Sequence, residues 1–212
     1  MASSMIHLTI ANELNKLLKR DKKKLLLGSI APDLSKLVGD DKTRSHFILD
    51  GEEDIPDLNK FLKKYGYFLN DDFVLGYYIH LYSDYLWFKY FIPDLFDEGK
   101  NIITKLNGDI IKCNGNMMEK YIYNDYTNIN NDFIDVYDLD LKLFYEPVPE
   151  LNNIIDEIPM DKISLIVDKA GLIIENSKKT KELVFDIERI KKFIKMNVEI
   201  IYSNLKELKI VE

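Results

Sequence analysis

Apolar residues along this chain recur every three or four positions, and sustained alternation with a period of two is nearly absent. Ile6, Ile10, Leu14, Leu17 and Leu18 fall on one face of a first helix, with Ser3 or Ser4 placed to cap it. A short second helix over 25–30 should end before Pro32, because the residue preceding a proline disfavours helical dihedrals. Residues 39–56 are polar and acidic with two glycines, which predicts a long loop of the kind that is functional or mobile. A helix over 58–65 ends at Gly66, and Asn70-Asp71-Asp72 caps a long apolar helix over 73–91, stopped by Pro93.

Two Asn-Gly pairs, Asn107-Gly108 and Asn114-Gly115, mark turns with a connector or small excursion between them. Residues 117–137 follow a helical period, and 138–149 read as irregular or briefly extended. Three further helices are expected over 150–157, 161–176 and 181–208. The last carries Leu183, Ile187, Ile190, Phe193, Ile194, Val198, Ile201 and Leu205 on one stripe. The pattern as a whole predicts an all-α fold, a single-domain multi-helix bundle over 1–212 without internal repeats.

The chain has 212 residues, 46% hydrophobic and 31% charged, an ordinary balance for one globular core. Its net charge of -7 argues against a general nucleic-acid binder, which needs clustered cations for phosphate. Lys22-Lys23-Lys24 follows Asp21 and reads as a solvated helix start. The single cysteine, Cys113, excludes an internal disulfide and a Cys-rich zinc site. The N-terminus lacks the pattern of a secretory signal, and no apolar stretch of about 18 residues occurs, so a cytoplasmic protein without a transmembrane segment is expected.

Candidate chemistry lies with the three histidines. His7 is on the first helix, and His46 sits in Arg44-Ser45-His46-Phe47. His80 lies four residues before Asp84, so both project from one helix face about a turn apart. An ionised aspartate on so apolar a helix is expensive unless a cation or donor meets it. Gly76, one turn before His80, costs helix propensity and opens room for close approach. Asp33 follows a proline in Gly28-Ser-Ile-Ala-Pro-Asp. Together His7, Asp33, His46, His80 and Asp84 would form a nitrogen and carboxylate ligand set suited to zinc first, and to manganese or iron as alternatives. Each also has a plainer reading: a hydrogen-bonded core histidine, or an Asp84 contact with a lysine or tyrosine.

Three additional residues are candidates. Asp125, in Asn124-Asp125-Tyr126, reads either as an oxygen ligand or general base, or as part of a solvated helix face. Arg44, with Lys42, reads either as a phosphate-binding cation or as ordinary loop charge. Tyr77 and Trp87 read as core, or as walls of a pocket beside His80 and Asp84.

In their order along the chain, these motifs resemble the bacterial zinc-dependent phospholipase C family, whose helical fold is shared with P1-type nucleases. That family runs from an early helical His through an Asp, a Ser-His-Phe-type His and a His-x-x-x-Asp helix; His7, Asp33, His46, His80 and Asp84 match, within residues 1–92. Residues 93–212 would complete the helical fold. The segments Gly28-Ser-Ile-Ala-Pro-Asp33 and Gly76-Tyr-Tyr-Ile-His80-Leu-Tyr-Ser-Asp84 look like those of its smaller cytosolic branch. No histidine follows His80, so the resemblance implies one or two ions rather than three.

The expected function is a metal-dependent hydrolase of a small-molecule phosphate ester, acting by attack of metal-activated water. Asp33 and Asp84 carry the catalytic roles: His46, His80 and Asp84, completed by Asp33, hold one ion, and His7 holds a second across a bridging Asp84. The alternative is a non-catalytic helical metal-binding or interaction protein derived from that family. The His-Asp-dipeptide phosphohydrolases, also all-α, are disfavoured because Leu8, Phe47 and Leu81 follow the three histidines.

Overall fold

The computed structural model describes residues 2–52, 54–139 and 145–211. Its architecture is mostly helical, with one small antiparallel sheet. Helix α1 (Ser4–Leu18) is capped by Ser3, whose side chain accepts the Ile6 N–H, and it ends at Lys19 in the left-handed region. Helix α2 (Lys22–Gly28) is capped by Asp21, which accepts the N–H groups of Lys23 and Lys24. A 3-10 turn over Ala31–Asp33 leads into α3 (Leu34–Val38).

The loop expected over 39–56 contains a further short helix, α4 (Lys42–Ser45), because Asp41 accepts the Thr43 N–H and caps it. Helix α5 (Leu58–Tyr65) follows, capped by Asp57. Helix α6 (Asp72–Leu86), capped by Asp71, is buried on nearly every face, as expected of a helix at the centre of a bundle.

The tightest helix crossing is α2 against α6, and two glycines make it. A Cβ on Gly28 would lie 2.1 Å from the Phe73 carbonyl oxygen, and one on Gly76 would lie 2.1 Å from the Leu25 carbonyl oxygen. No side chain fits at either position without moving backbone. The close approach expected at Gly76 is therefore the approach of a whole helix.

Pro93 does not stop the long helix. The chain widens into a π-helical turn over Trp87–Phe91, and Pro93 then sits in the first turn of α7 (Ile92–Leu95), where its missing N–H is harmless. The excursion that follows is a sheet rather than a plain connector. Strands β1 (Phe96–Asp97), β2 (Ile102–Thr104) and β3 (Ile110–Lys112) pair in that order, Ile103 facing Phe96 and Ile111. Gly108, at φ +87, occupies the β2–β3 turn.

The helix expected over 117–137 is two, α8 (Gly115–Ile129) and α9 (Asp132–Tyr137), parted at Asn130 and Asn131, residues that favour caps and turns. Of the irregular stretch expected over 138–149, residues 140–144 lie outside the described residues. Residues 150–157 are not helical. Ile155 and Ile158 are buried from an extended path, and the Tyr65 hydroxyl fastens it by accepting the Asp156 N–H and donating to Glu157.

Helix α10 is Ser164–Glu175, and α11 is Ile187–Glu207, capped by Asp186. The last helix starts later than expected because residues 183–185 give their N–H groups to Asp125 instead of to a helical ladder. The core centres on α1, α2, α6 and α11, with Trp87, Phe91, Tyr126, Phe185 and Phe193 packed ring against ring at one end. Among the described residues, no helix is long and apolar enough to cross a membrane.

Candidate metal centre

The fold brings His7, Asp33, His46, His80 and Asp84 together. Helix α6 presents His80 and Asp84 from consecutive turns, with His80 Nε2 3.4 Å from Asp84 Oδ2. Helix α1 lays His7 against them: its ring stacks on His80 at 3.8 Å, and its Nε2 lies 3.4 Å from Asp84 Oδ1. His46, at the C-terminal end of α4, points Nε2 to within 3.3 Å of His80 Nε2 and 3.8 Å of Asp84 Oδ2. Asp33 closes the ring from the 3-10 turn, its Oδ1 3.6 Å from His46 Nε2. The two carboxylate oxygens of Asp84 thus face opposite ways, Oδ1 towards His7 and Oδ2 towards His46 and His80.

Hydrogen bonds behind the rings set their tautomers. His80 Nδ1 lies 2.8 Å from the Ser29 carbonyl, which can only accept. The proton must be on Nδ1, and Nε2 is left with its lone pair facing the cluster. The Gly28–Gly76 crossing is what brings the Ser29 carbonyl this close. His46 Nδ1 lies 2.9 Å from Ser45 Oγ. Ser45 Oγ donates onward to Ser35 Oγ at 2.8 Å, and Ser35 Oγ to the Pro32 carbonyl at 3.1 Å. A chain that ends on a carbonyl runs in one direction, so His46 also donates from Nδ1 and turns the Nε2 lone pair inward. The Tyr77 hydroxyl, donating to the Ser45 carbonyl at 2.5 Å, pins the same turn.

Two imidazole lone pairs facing each other at 3.3 Å repel unless a cation lies between them. A proton can satisfy one such pair, but four further buried atoms of the cluster lack any hydrogen-bond partner: His7 Nδ1, His7 Nε2, Asp33 Oδ1 and Asp84 Oδ2. Unpaired groups of this kind are rare in protein interiors and call for an explanation. The spacing suggests one. Ligands about 2.0–2.1 Å from a tetrahedral zinc are about 3.3–3.4 Å apart. The His46–His80 and His80–Asp84 separations match that edge, and those from His46 to Asp33 and to Asp84 exceed it by less than half an ångström.

Two overlapping groups could therefore hold a divalent ion: Asp33, His46 and His80, and His7, His80 and Asp84, with donor atoms within 4.8 Å of one another in each. Asp84 Oδ2 lies beside the first group, 3.4 Å from His80 Nε2 and 3.8 Å from His46 Nε2. The second is poorer, and the Ala2 N–H closes part of it by donating to Asp84 Oδ1 at 3.0 Å.

The electrostatics keep four of the five donors in their ligating forms. Burial, reinforced by His80, pushes the His7 pKa down to about 4, so His7 is neutral at pH 7. Burial lowers His46 as well, against the opposing pull of Asp33. His80 goes the other way: burial disfavours its charge, but Asp84, Asp33 and the Ser29 carbonyl together outweigh burial, so His80 is the imidazole that takes up a proton. For Asp84, burial acts to raise the pKa, yet His7 and His80 hold the carboxyl well below the usual range. Asp33 is likewise held below it, with His46, His80 and Lys36 overcoming burial.

The additional candidates do not join the cluster. Asp125 is buried rather than solvated. Its Oδ1 accepts the Leu183 N–H at 2.9 Å, and its Oδ2 accepts those of Val184 and Phe185 at 2.7 and 3.0 Å. Those bonds occupy the carboxylate and explain its burial without a metal. Arg44 donates to the Asp156 carbonyl and lines a cleft of about 310 Å3 with Asp41, Thr43, Phe47, Lys60 and Glu157; Lys42 pairs with Asp54. Tyr77 and Trp87 are fully buried, Trp87 in the aromatic core and Tyr77 behind the His46 turn.

Sequence reasoning missed the supporting residues Ser29, Ser35 and Ser45, the Ala2 N–H, and Lys36, whose Nζ lies 3.4 Å from Asp33 Oδ1. Two of them carried a visible signal: Ser45 adjoins His46, and Lys36 stands at i+3 from Asp33. No protein-family model, curated protein or solved structure matches the chain.

Proposed function

We propose that the chain is a metal-dependent hydrolase of a phosphate ester, built in the manner of the zinc-dependent phospholipase C family. The observation that carries this reading is the inward-facing pair of imidazoles, ringed by buried carboxylate oxygens that accept no hydrogen bond. Asp33, His46, His80 and Asp84 Oδ2 would hold one ion, and His7 with Asp84 Oδ1 a second, with zinc the best fit to the donor set. When bound, such ions act as Lewis acids: they acidify water and neutralise charge on phosphoryl oxygens.

The protein's own part is orientation. Ser29 and Ser45 fix the imidazole tautomers, and Asp84 ties the two groups of donors together. Asp33, the most exposed of the five ligands, would accept a hydrogen bond from an approaching water. A second reading, a non-catalytic metal-stabilised protein, is favoured by one observation: His7, His46, His80 and Asp84 are all fully buried.

Elemental analysis of protein prepared without added metal, followed by assays on phosphomonoesters and phosphodiesters with zinc, manganese or iron, separates the readings. Hydrolysis requires one or two equivalents of metal, turnover that a chelator abolishes and the ion restores, and loss of both in His80→Ala. Stoichiometric metal without turnover leaves the second reading. Protein with no affinity for these ions sinks both.

A further inference from the structure

We infer that Lys36 receives the terminal phosphate of the substrate at the one edge of the centre that water reaches. This inference rests on the metal-hydrolase reading above and names the class of substrate that reading leaves open. Four of the five ligand side chains are sealed from solvent. Asp33 is the exception, with 12% of its side chain exposed. A molecule entering the centre must therefore pass Asp33, and beside Asp33 stands Lys36. Its ammonium lies 3.4 Å from Asp33 Oδ1, and its side chain is 44% exposed. The Lys36 ammonium makes no other hydrogen bond or ion pair among the described residues.

The contact is made with the same carboxylate oxygen that faces His46. Lys36 and the His46 ring share Asp33 Oδ1. An ion held by Asp33 and His46 competes with Lys36 for that oxygen, and a displaced ammonium at a solvent edge needs a new anion.

Charge counting indicates which anion. Two carboxylates set against two divalent ions leave a surplus of two positive charges, and Lys36 adds a third. Surplus charge next to a buried cluster is costly until a counter-ion arrives, and it draws anions in. A doubly charged terminal phosphate offsets the surplus better than a singly charged diester. Lysine binds phosphate as a compact point charge with three donors, which suits a rotating terminal group. Arg44 and Lys42, the cations that stand out in the sequence, already have partners in Asp156 and Asp54.

Titration calorimetry of inorganic phosphate into zinc-loaded protein at low ionic strength tests this. The proteins compared are wild type, Lys36→Met, Lys36→Arg and, as a control, Lys100→Met, whose lysine pairs with Asp97 on the sheet connection. Loss of one charge-assisted contact should weaken phosphate binding by about tenfold or more in Lys36→Met, with zinc content unchanged. Lys36→Arg should stay within about threefold and Lys100→Met at the wild-type value, while dimethyl phosphate should bind wild type about tenfold more weakly than phosphate.

A lysine that only neutralised Asp33 would leave phosphate affinity unaltered when removed, and that result overturns the inference while the metal centre stands. Wild type that holds zinc but binds no phosphate overturns it equally. Equal affinity for dimethyl phosphate overturns the assignment to a doubly charged group. Wild type that holds no zinc removes the metal reading itself, and this inference with it.

Discussion

Asp84 and Asp125 are both fully buried aspartates on helices, and the fold treats them in opposite ways. Asp125 is surrounded by backbone: three consecutive N–H groups from residues 183–185 and the Asn124 side chain converge on its two oxygens. Asp84 has the Ala2 N–H on Oδ1, and otherwise faces imidazoles. Its Oδ2 accepts no hydrogen bond. A buried charge must be paired, but the pairing decides what the charge is for. Amides that are fixed in place leave nothing for a ligand to do, and the carboxylate becomes a structural clasp. Imidazoles that turn lone pairs inward leave a deficit of positive charge, and the carboxylate becomes half of a binding site.

The sharpest way to break this contrast is to remove each carboxylate in turn. Asp125→Ala strands three buried N–H groups and should cost about 3–5 kcal/mol by urea denaturation, the same with zinc or with a chelator. Asp84→Asn should cost the metal-free protein no more than about 2 kcal/mol. It should also erase the gain of about 2.7 kcal/mol that wild type shows at zinc one hundred times its dissociation constant. If Asp125→Ala proved zinc-dependent, or if Asp84→Asn kept the zinc increment, the two aspartates would not differ in the way proposed.

Acid separates them next. His7 in the folded, metal-free protein binds its proton only near pH 4, because burial and His80 oppose the charge. In the unfolded chain the same group titrates near 6.5. Between those values the unfolded state holds more protons, so stability must fall as pH drops through the window, by about 3 kcal/mol in all for His7. His46, also lowered, adds loss in the same window, while Asp33 and Asp84, lowered from the carboxylate range, add theirs only below about pH 4. His80, raised, opposes it, contributing stability that disappears as pH climbs through its elevated pKa. Chemical denaturation of metal-free protein at pH 7 and pH 5 measures the balance, and His7→Phe should flatten it. A pH dependence that His7→Phe leaves unchanged would mean that the imidazole is not held neutral.

The same contrast explains what could be read from the sequence. His7, Asp33, His46, His80 and Asp84 were legible because histidine is rare here and because an Asp four residues after a His on an apolar helix has few inexpensive explanations. Asp125 is only an additional candidate in sequence, as an oxygen ligand or general base, against a solvated helix face. Its partners are backbone N–H groups nearly sixty residues away, which carry no residue signature. The α2–α6 crossing was half visible: Gly76 stood out, while Gly28, its counterpart in the contact, did not. The strands β1 to β3, two or three residues each, are too short for a period of two to register. Residues 150–157 have helical spacing, but the Tyr65 hydroxyl competes for their backbone and wins.

The smallest expected effect lies one bond behind the ligands. Ser45 accepts from His46 Nδ1 and passes the hydrogen bond to Ser35, so Ser45→Ala removes the group that fixes the inward lone pair of His46. Loss of such an orienting partner typically costs 10–100-fold in metal affinity. The expected change is therefore about 10–100-fold weaker zinc binding, with about 1 kcal/mol lost from the metal-free protein. Asn124→Ala, which removes a neighbour of Asp125, should leave zinc affinity where it was, because no backbone donor to Asp125 changes. Competition titration against a chromophoric chelator reads both. Long-range 1H–15N correlation spectra of the metal-free protein add a check independent of zinc: His46 should be an Nδ1–H tautomer in wild type and a mixture in Ser45→Ala. A wild-type spectrum with the proton on Nε2 would put an N–H where an ion should sit, and the reason for the inward-facing imidazoles would be gone.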